Sequence, residues 1–285
     1  MSDPALAAQA KSPIGKIEVE AGVTQAQRDA FASAIQNLDT YKIDAPGADL
    51  LAKLHLNDTA PATLHEWLEE RVQYLASQNL DLDSHAYLVQ AHYAYPEPDQ
   101  FPVSEKPTRT LPSDGSIQVL MANIGGAIYT SGKAHSQLIG LRLDGIGDVI
   151  VRSPRSGILM IGDGLFPVAG SKSVLATDTA ALAIFRLGTL FHEARHSDGN
   201  GVSAGFLHAV CPDGSDYSGL TACDRNSNGP YTVGAMFTRD LTSACTDCTV
   251  AGKEWLKLAY LDSFSRMIGS EADSPAWDDA PEGEL

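Results

Sequence analysis

Basic residues are scarce in this sequence, and they form no dense run. The 285 residues include 20 Lys and Arg against 36 Asp and Glu, which gives a formal net charge of −16. A chain of this sign is poorly matched to the phosphate backbone of nucleic acids and to anionic membrane surfaces. The composition therefore argues against nucleic acid as a partner.

Long apolar runs are also missing. The longest lies around residues 180–185 and falls far short of the roughly 20 residues that a membrane-spanning helix needs. We therefore expect a soluble, monomeric protein without a membrane span. Hydrophobic residues make up 44% of the chain, which is enough for one large core or two modest ones.

Cysteine is rare, and all four cysteines lie in one loop-rich stretch. An even number in so short a stretch is typical of disulfides and hence of an oxidising compartment, so we expect a secreted or periplasmic protein. Of the three connectivities, nearest-neighbour pairing joins Cys211 to Cys223 and Cys245 to Cys248. A redox pair or a zinc knuckle at Cys245 and Cys248 would need companion patterns that the sequence lacks.

Local motifs and composition together divide the chain into four segments. Capping boxes at Thr24 and Thr63 are each followed by helically spaced apolar residues, and they predict helices over about 24–40 and 63–78. The last sixteen residues hold six acidic groups and no basic one, which is typical of a disordered tail. The predicted segments are a flexible N-terminus at 1–23, a mainly helical subdomain at 24–112, a catalytic domain at 113–269 and an acidic tail at 270–285.

The predicted catalytic domain begins with strands. Short apolar runs between Gly115 and Pro167 are separated by Gly, Asp, Ser and Pro, and they predict a sheet of about five strands. Thr177-Asp178 then caps a strong helix that we expect to end at Gly199. Residues 199–249 are expected to be irregular and braced by the disulfides, and a last helix covers about 250–268. The fold class is therefore α+β.

The end of the strong helix carries the sequence His192-Glu193-Ala194-Arg195-His196, an H-E-x-x-H motif. Residues four apart on a helix are about 40° apart in projection, so His192 and His196 can share one metal ion. Glu193 lies beside such a site, where it can take a proton from metal-bound water. The alternative is a surface helix end whose histidines complement the helix dipole.

This motif resembles that of the zincin class of zinc metallopeptidases. The resemblance implies a mixed sheet packed on the active-site helix, a Zn²⁺ cofactor, and hydrolysis of peptide bonds by a water that Glu193 activates. In metzincins a third histidine follows at a spacing that here falls on Val202, so the sequence departs from that family. Gluzincins use a Glu on a later helix, for which Glu254 is a match without the usual companion motif.

A zinc site that is open to substrate needs a third protein ligand. His208 is the only histidine after His196, and the glycines between them allow the chain to turn back toward the metal. We therefore expect His208 to be the third ligand. Tyr231, in a Gly-Pro-Tyr turn, is the candidate that stabilises the oxyanion, with Tyr217 in reserve. Other candidate third ligands are Glu254, Asp198, Asp213, Asp216 and Asp224.

Two further motifs compete with this interpretation. Residues 201–205 match G-x-S-x-G around Ser203, but a nucleophile elbow needs a preceding strand and a distant downstream histidine. Here a predicted helix precedes Ser203, and the only later histidine is five residues away. Residues 224–229 begin like a calcium loop, but the twelfth position is Ala235 instead of Glu, which leaves a looser Ca²⁺ site or an Asx-rich turn.

The sequence as a whole predicts a zinc endopeptidase that acts on peptide or protein substrates. One alternative is a zinc amidase that acts on cell-wall peptides, which the same site would support. The other is a secreted binding protein whose zinc is structural because a fourth protein ligand closes the site.

Overall fold

The computed structural model describes residues 14–38, 54, 56, 60–80, 86–90, 117–122, 124–130, 138–152, 157–167, 170–197 and 208–271. Within them lie five α-helices and eleven β-strands in three sheets. The helices are α1 (Gln25–Leu38), α2 (Pro61–Arg71), α3 (Thr179–His196), α4 (Pro230–Ala244) and α5 (Val250–Ser265). The strands are β1 (Glu18–Val19), β2 (Tyr74–Ser77), β3 (Ala86–Gln90), β4 (Ile117–Ala122), β5 (Gly125–Thr130), β6 (Leu138–Leu143), β7 (Gly147–Arg152), β8 (Ile158–Ile161), β9 (Ala209–Val210), β10 (Thr221–Asn226) and β11 (Met267–Glu271).

The central sheet is mixed and has five strands in the order β1-β2-β8-β5-β4. β1, β2 and β8 are parallel, and β5 and β4 run antiparallel to their neighbours. The five strands expected between Gly115 and Pro167 all form, but they do not make one sheet. β6 and β7 join β3 in a second sheet, because apolar runs predict strands without specifying their long-range partners.

The segment at 1–23, which was expected to be flexible, supplies β1 to the central sheet, and Ile17 and Val19 are fully buried there. The mainly helical segment at 24–112 supplies β2 to the same sheet. The capping box of α1 is confirmed: the Thr24 N–H donates to Gln27 Oε1 at 2.9 Å, and the Gln27 N–H donates to Thr24 Oγ1. The second predicted helix was wrong at both ends. α2 starts at Pro61 and ends at Arg71, and Leu75 lies in β2, fully buried between β1 and β8.

Helix α3 lies at the centre of the molecule. Asp178 caps it as expected, since its carboxylate accepts the N–H of Ala181 at 2.9 Å. α3 ends at His196, before Gly199, which lies outside the described residues. Phe191 is fully buried between Trp67 of α2 and Phe237 of α4, with ring centroids 5.2 Å and 3.7 Å apart. α3 also contacts α1 and β5, so helices and a strand together hold the helix that carries the motif.

The stretch at 199–249 was expected to be irregular, and for residues 208–249, which the structure describes, this expectation was wrong. It contains β9, β10 and the fifteen-residue helix α4. α4 begins at Gly229-Pro230, which resembles a turn in sequence but places proline in the first helical turn. Val233, Phe237 and Leu241 recur every four residues and are fully buried, and this burial holds the helix in place.

Both disulfides join the nearest-neighbour partners, Cys211 to Cys223 and Cys245 to Cys248. α5 ends at Ser265, three residues earlier than expected, and β11 continues to Glu271. β11 therefore includes the first two residues of the tail predicted at 270–285. The rest of that tail and the predicted domain boundary at 112/113 lie outside the described residues. In the part of the chain that the structure describes, no helix is long and apolar enough to cross a membrane.

Candidate metal centre

Three imidazoles meet at the end of α3. His192 and His196 lie one helical turn apart, and His208 reaches them from the residue before β9. One nitrogen from each ring lies within 4.8 Å of the other two, and Nε2 of His208 is 3.2 Å from Nε2 of His192. Nitrogen ligands of a tetrahedral zinc lie about 3.3 Å apart, given Zn–N distances of about 2.0–2.1 Å. The three side chains could therefore hold a metal ion.

The other candidate ligands that the structure describes are not part of this group. Glu254 is exposed on α5, and Asp213 and Asp216 are exposed in the loop that Cys211 and Cys223 close. Asp198, Val202 and Ser203 lie outside the described residues. Among the residues that are described, His192, His196 and His208 are the one group of this kind that could hold a metal.

The environment of His192 favours the neutral imidazole. Burial lowers its pKa well below the ordinary value, and electrostatic interactions with His208, His196 and Arg266 act in the same direction. A metal binds the neutral ring through a nitrogen lone pair.

Asp224 lies behind His208. One of its oxygens is 3.0 Å from Nδ1 of His208, and the other accepts the N–H groups of Tyr231 and Thr232 at 2.8 Å and 3.4 Å. The side chain is fully buried, and a Cβ on Gly229 would collide with its carboxylate. Asp224 therefore orients a ligand instead of acting as one.

The contacts of Asp224 also bear on the Ca²⁺ site that the sequence left open at 224–229. Asp224 is the first residue of the loop pattern, and both of its oxygens are taken by His208 and the N-terminus of α4. Calcium needs six to eight oxygen ligands, whereas the Asp224 carboxylate is engaged with His208 and with the first turn of α4. These contacts give no support to a looser Ca²⁺ site at 224–229, which stays a prediction.

Glu193 lies beside the three imidazoles in the wall of the same cavity. Its side chain is buried, and burial raises the pKa of the carboxyl from 4.5 to about 8. Because Glu193 is adjacent to His192 on α3, it points to the side of the metal group without belonging to it. This is the position that the motif predicts for a proton acceptor.

Two glycines bring α4 against the motif. A Cβ on Gly234 would lie 3.0 Å from the carbonyl oxygen of Gly188 and 3.1 Å from Cβ of His192, and a Cβ on Gly188 would collide with Thr238. This close approach places Tyr231, in the first turn of α4, next to the histidines. Its ring centroid is 4.5 Å from that of His208 and 4.6 Å from that of His192. Tyr231 is thus in a helix instead of the expected turn, but it lies at the site.

Arg266 is a site residue that sequence reasoning missed. It lies between α5 and β11, donates to the hydroxyl of Tyr231 at 2.8 Å and pairs with Asp262 at 2.8 Å. Its guanidinium also lies 3.7 Å from the ring centroid of Tyr217. No motif surrounds Arg266 in the sequence, so only the packing of β11 beside β10 brings it here.

The metal group opens into a cavity of about 770 Å³. One part of its wall is formed by the histidines, Glu193, Tyr231 and Arg266, and another part by apolar side chains that include Phe185, Trp255 and Leu220.

No protein-family model matches this chain, and no curated protein or solved structure matches it either.

Proposed function

We propose that this protein is a zinc-dependent endopeptidase. The observation that carries the proposal is the convergence of three imidazoles with Glu193 on one wall of an open cavity. Within the described residues three side chains meet, whereas structural zinc sites are closed by four. When bound, zinc supplies a Lewis acid that polarises a carbonyl and makes water more acidic.

The protein's own groups then have separate roles. The raised pKa of the Glu193 carboxyl would fall beside a bound cation, which favours the ionised form. The carboxylate accepts a proton from the attacking water and later delivers it to the leaving amine. Tyr231 donates a hydrogen bond to the oxygen that becomes negative as the peptide carbon turns tetrahedral. The mixed cavity wall accepts a peptide, whose backbone is polar and whose side chains are partly apolar.

The two disulfides hint at an extracellular protein. We propose that the enzyme acts in a secreted or periplasmic setting, on peptide or protein substrates. The same site would also serve an amidase that acts on cell-wall peptides.

The test combines zinc analysis with hydrolysis of fluorogenic peptides and of cell-wall peptides. We expect one zinc per chain, loss of activity with a chelator, and a Glu193→Gln variant that folds and binds zinc but is slower by about 100-fold or more. Glu254→Gln, which alters an exposed Glu on α5, is the matched control and retains full activity.

Three outcomes would count against the endopeptidase. A folded protein that contains no zinc would contradict the proposed metal site. Cleavage of cell-wall peptides alone would favour the amidase. Bound zinc without hydrolysis of either substrate favours a binding protein.

A further inference from the structure

Arg266 is held in one orientation at the edge of the cavity. Its Nη1 donates to the Tyr231 hydroxyl at 2.8 Å, while Nε and Nη2 donate to one oxygen of Asp262 at 3.2 Å and 2.8 Å. The guanidinium lies 3.7 Å from the ring centroid of Tyr217 and 4.6 Å from that of Tyr231. The Tyr217 hydroxyl in turn donates to Asp262. The Asp262 carboxylate and the rings of Tyr217 and Tyr231 therefore hold the guanidinium with Nη1 directed at the Tyr231 hydroxyl.

This contact determines what the Tyr231 hydroxyl can do. A guanidinium has no lone pair to offer, so the phenol oxygen must be the acceptor of the bond from Arg266. The proton of the same hydroxyl is then left for another group. Among the described residues the Tyr231 hydroxyl makes no hydrogen bond besides the one from Arg266, and Tyr231 lines the cavity beside His192 and His208.

We propose that Arg266 is a positioning residue for catalysis, acting through Tyr231. By occupying the lone pair of the phenol oxygen, Arg266 directs the hydroxyl proton toward the oxygen of a peptide carbonyl during hydrolysis. A charged donor also polarises the phenol, which strengthens it as a donor in turn. This inference rests on the proposed peptidase function and adds a residue that no motif contains.

The test is a double-mutant cycle on the zinc-loaded protein with Tyr231→Phe, Arg266→Gln and both changes together. We expect Tyr231→Phe to lower kcat about 100-fold, as loss of an oxyanion donor does. Arg266→Gln lowers kcat about 10-fold while KM changes little, and it has no further effect once Tyr231 is Phe. Arg266→Lys, which keeps a charged donor, restores part of the loss.

A second measurement does not depend on turnover. The affinity of each variant for a phosphinic peptide, whose tetrahedral anionic group mimics the oxyanion, is measured by calorimetry. The same coupling between Arg266 and Tyr231 is expected in binding. Arg142→Gln, which removes another Arg–Asp pair in the second sheet, is the matched control and changes neither quantity.

The outcomes separate this inference from the proposed function. Independent, multiplicative effects of the two changes in both measurements would overturn the role of Arg266 and leave the peptidase intact. A protein that binds zinc but neither hydrolyses peptides nor binds the phosphinic peptide contradicts the proposed function, and the role of Arg266 with it.

Discussion

The carboxylate of Asp224 lies 3.0 Å from Nδ1 of His208 and also accepts the backbone N–H of Tyr231 at 2.8 Å. One buried side chain thus links the third imidazole of the metal group to the first turn of α4. The arrangement holds Nε2 of His208 toward His192. The metal group and the helix that carries Tyr231 are therefore built on a common support.

Replacing Asp224 by Asn is expected to weaken zinc binding. Carboxylates that hydrogen-bond a ligating imidazole contribute about 10- to 100-fold to metal affinity, and Asn keeps an oxygen that can still accept from the N-terminus of α4. The measurement is chelator competition at pH 7, with Asp216→Asn, an exposed carboxylate in the neighbouring loop, as control. An affinity within twofold of the wild type would show that His208 needs no such partner.

Removal of the Cys211–Cys223 disulfide is expected to affect both stability and zinc. Cys223 immediately precedes Asp224, and Cys211 follows His208 by three residues, so the bond ties the ligand to its partner. The bond closes a loop with a sequence separation of 12, against 3 for Cys245–Cys248. Chain entropy predicts that the longer loop contributes roughly 1 kcal/mol more to the free energy of unfolding.

The two Cys→Ser double variants provide the comparison. Urea unfolding measures stability, and chelator competition measures zinc affinity. We expect lower zinc affinity without the first disulfide and wild-type affinity without the second. Equal affinities in the two variants would mean that the first disulfide does not support the metal group.

A methyl group on Gly234 is expected to disturb the metal group, because Gly234 packs against His192. Its Cβ would lie 3.1 Å from Cβ of His192 and 3.0 Å from a backbone oxygen of α3. Overpacking costs about 1–3 kcal/mol, which exceeds the roughly 1 kcal/mol that alanine gains in a helix. Gly234→Ala should therefore unfold at lower urea and bind zinc more weakly, unlike Ser243→Ala at an exposed position of α4. A more stable variant with unchanged zinc affinity would contradict this.

Asp178 predicts a pH dependence of stability. Burial alone would raise its pKa, but hydrogen bonds from Ala181 and Thr249 outweigh burial and hold the pKa below the ordinary value. A carboxyl with a lowered pKa in the folded state stabilises the fold above its unfolded pKa of about 3.9. That stabilisation is lost as the pH falls through the folded-state pKa.

The comparison is urea unfolding of the wild type and Asp178→Asn at pH 7 and at low pH. The variant should be less stable by about 1–2 kcal/mol at pH 7, and the difference should shrink in acid. Asp247→Asn, at an exposed position, should show no such trend. A constant difference at both pH values would assign the effect to packing instead of charge.

Local patterns predicted those parts of the fold that local interactions build. The capping residues Thr24 and Asp178 mark the starts of α1 and α3, because their side chains satisfy N–H groups only two or three residues away. The segment around Leu75 was misassigned, since its apolar residues suit a helix face and a buried strand alike. Its strand conformation depends on β8, more than 80 residues later.

The candidate metal centre also has one part that local sequence predicts and another that only tertiary contacts assemble. His192 and His196 could be assigned to one helix face, and Glu193 to the side of that face, from their spacing alone, because 3.6 residues per turn determines which side chains are neighbours. The approach of His208, the support by Asp224 and the contact of Arg266 with Tyr231 join residues 16 to 35 positions apart. Such contacts are made when α4, β10 and β11 pack around α3, and no local periodicity encodes them.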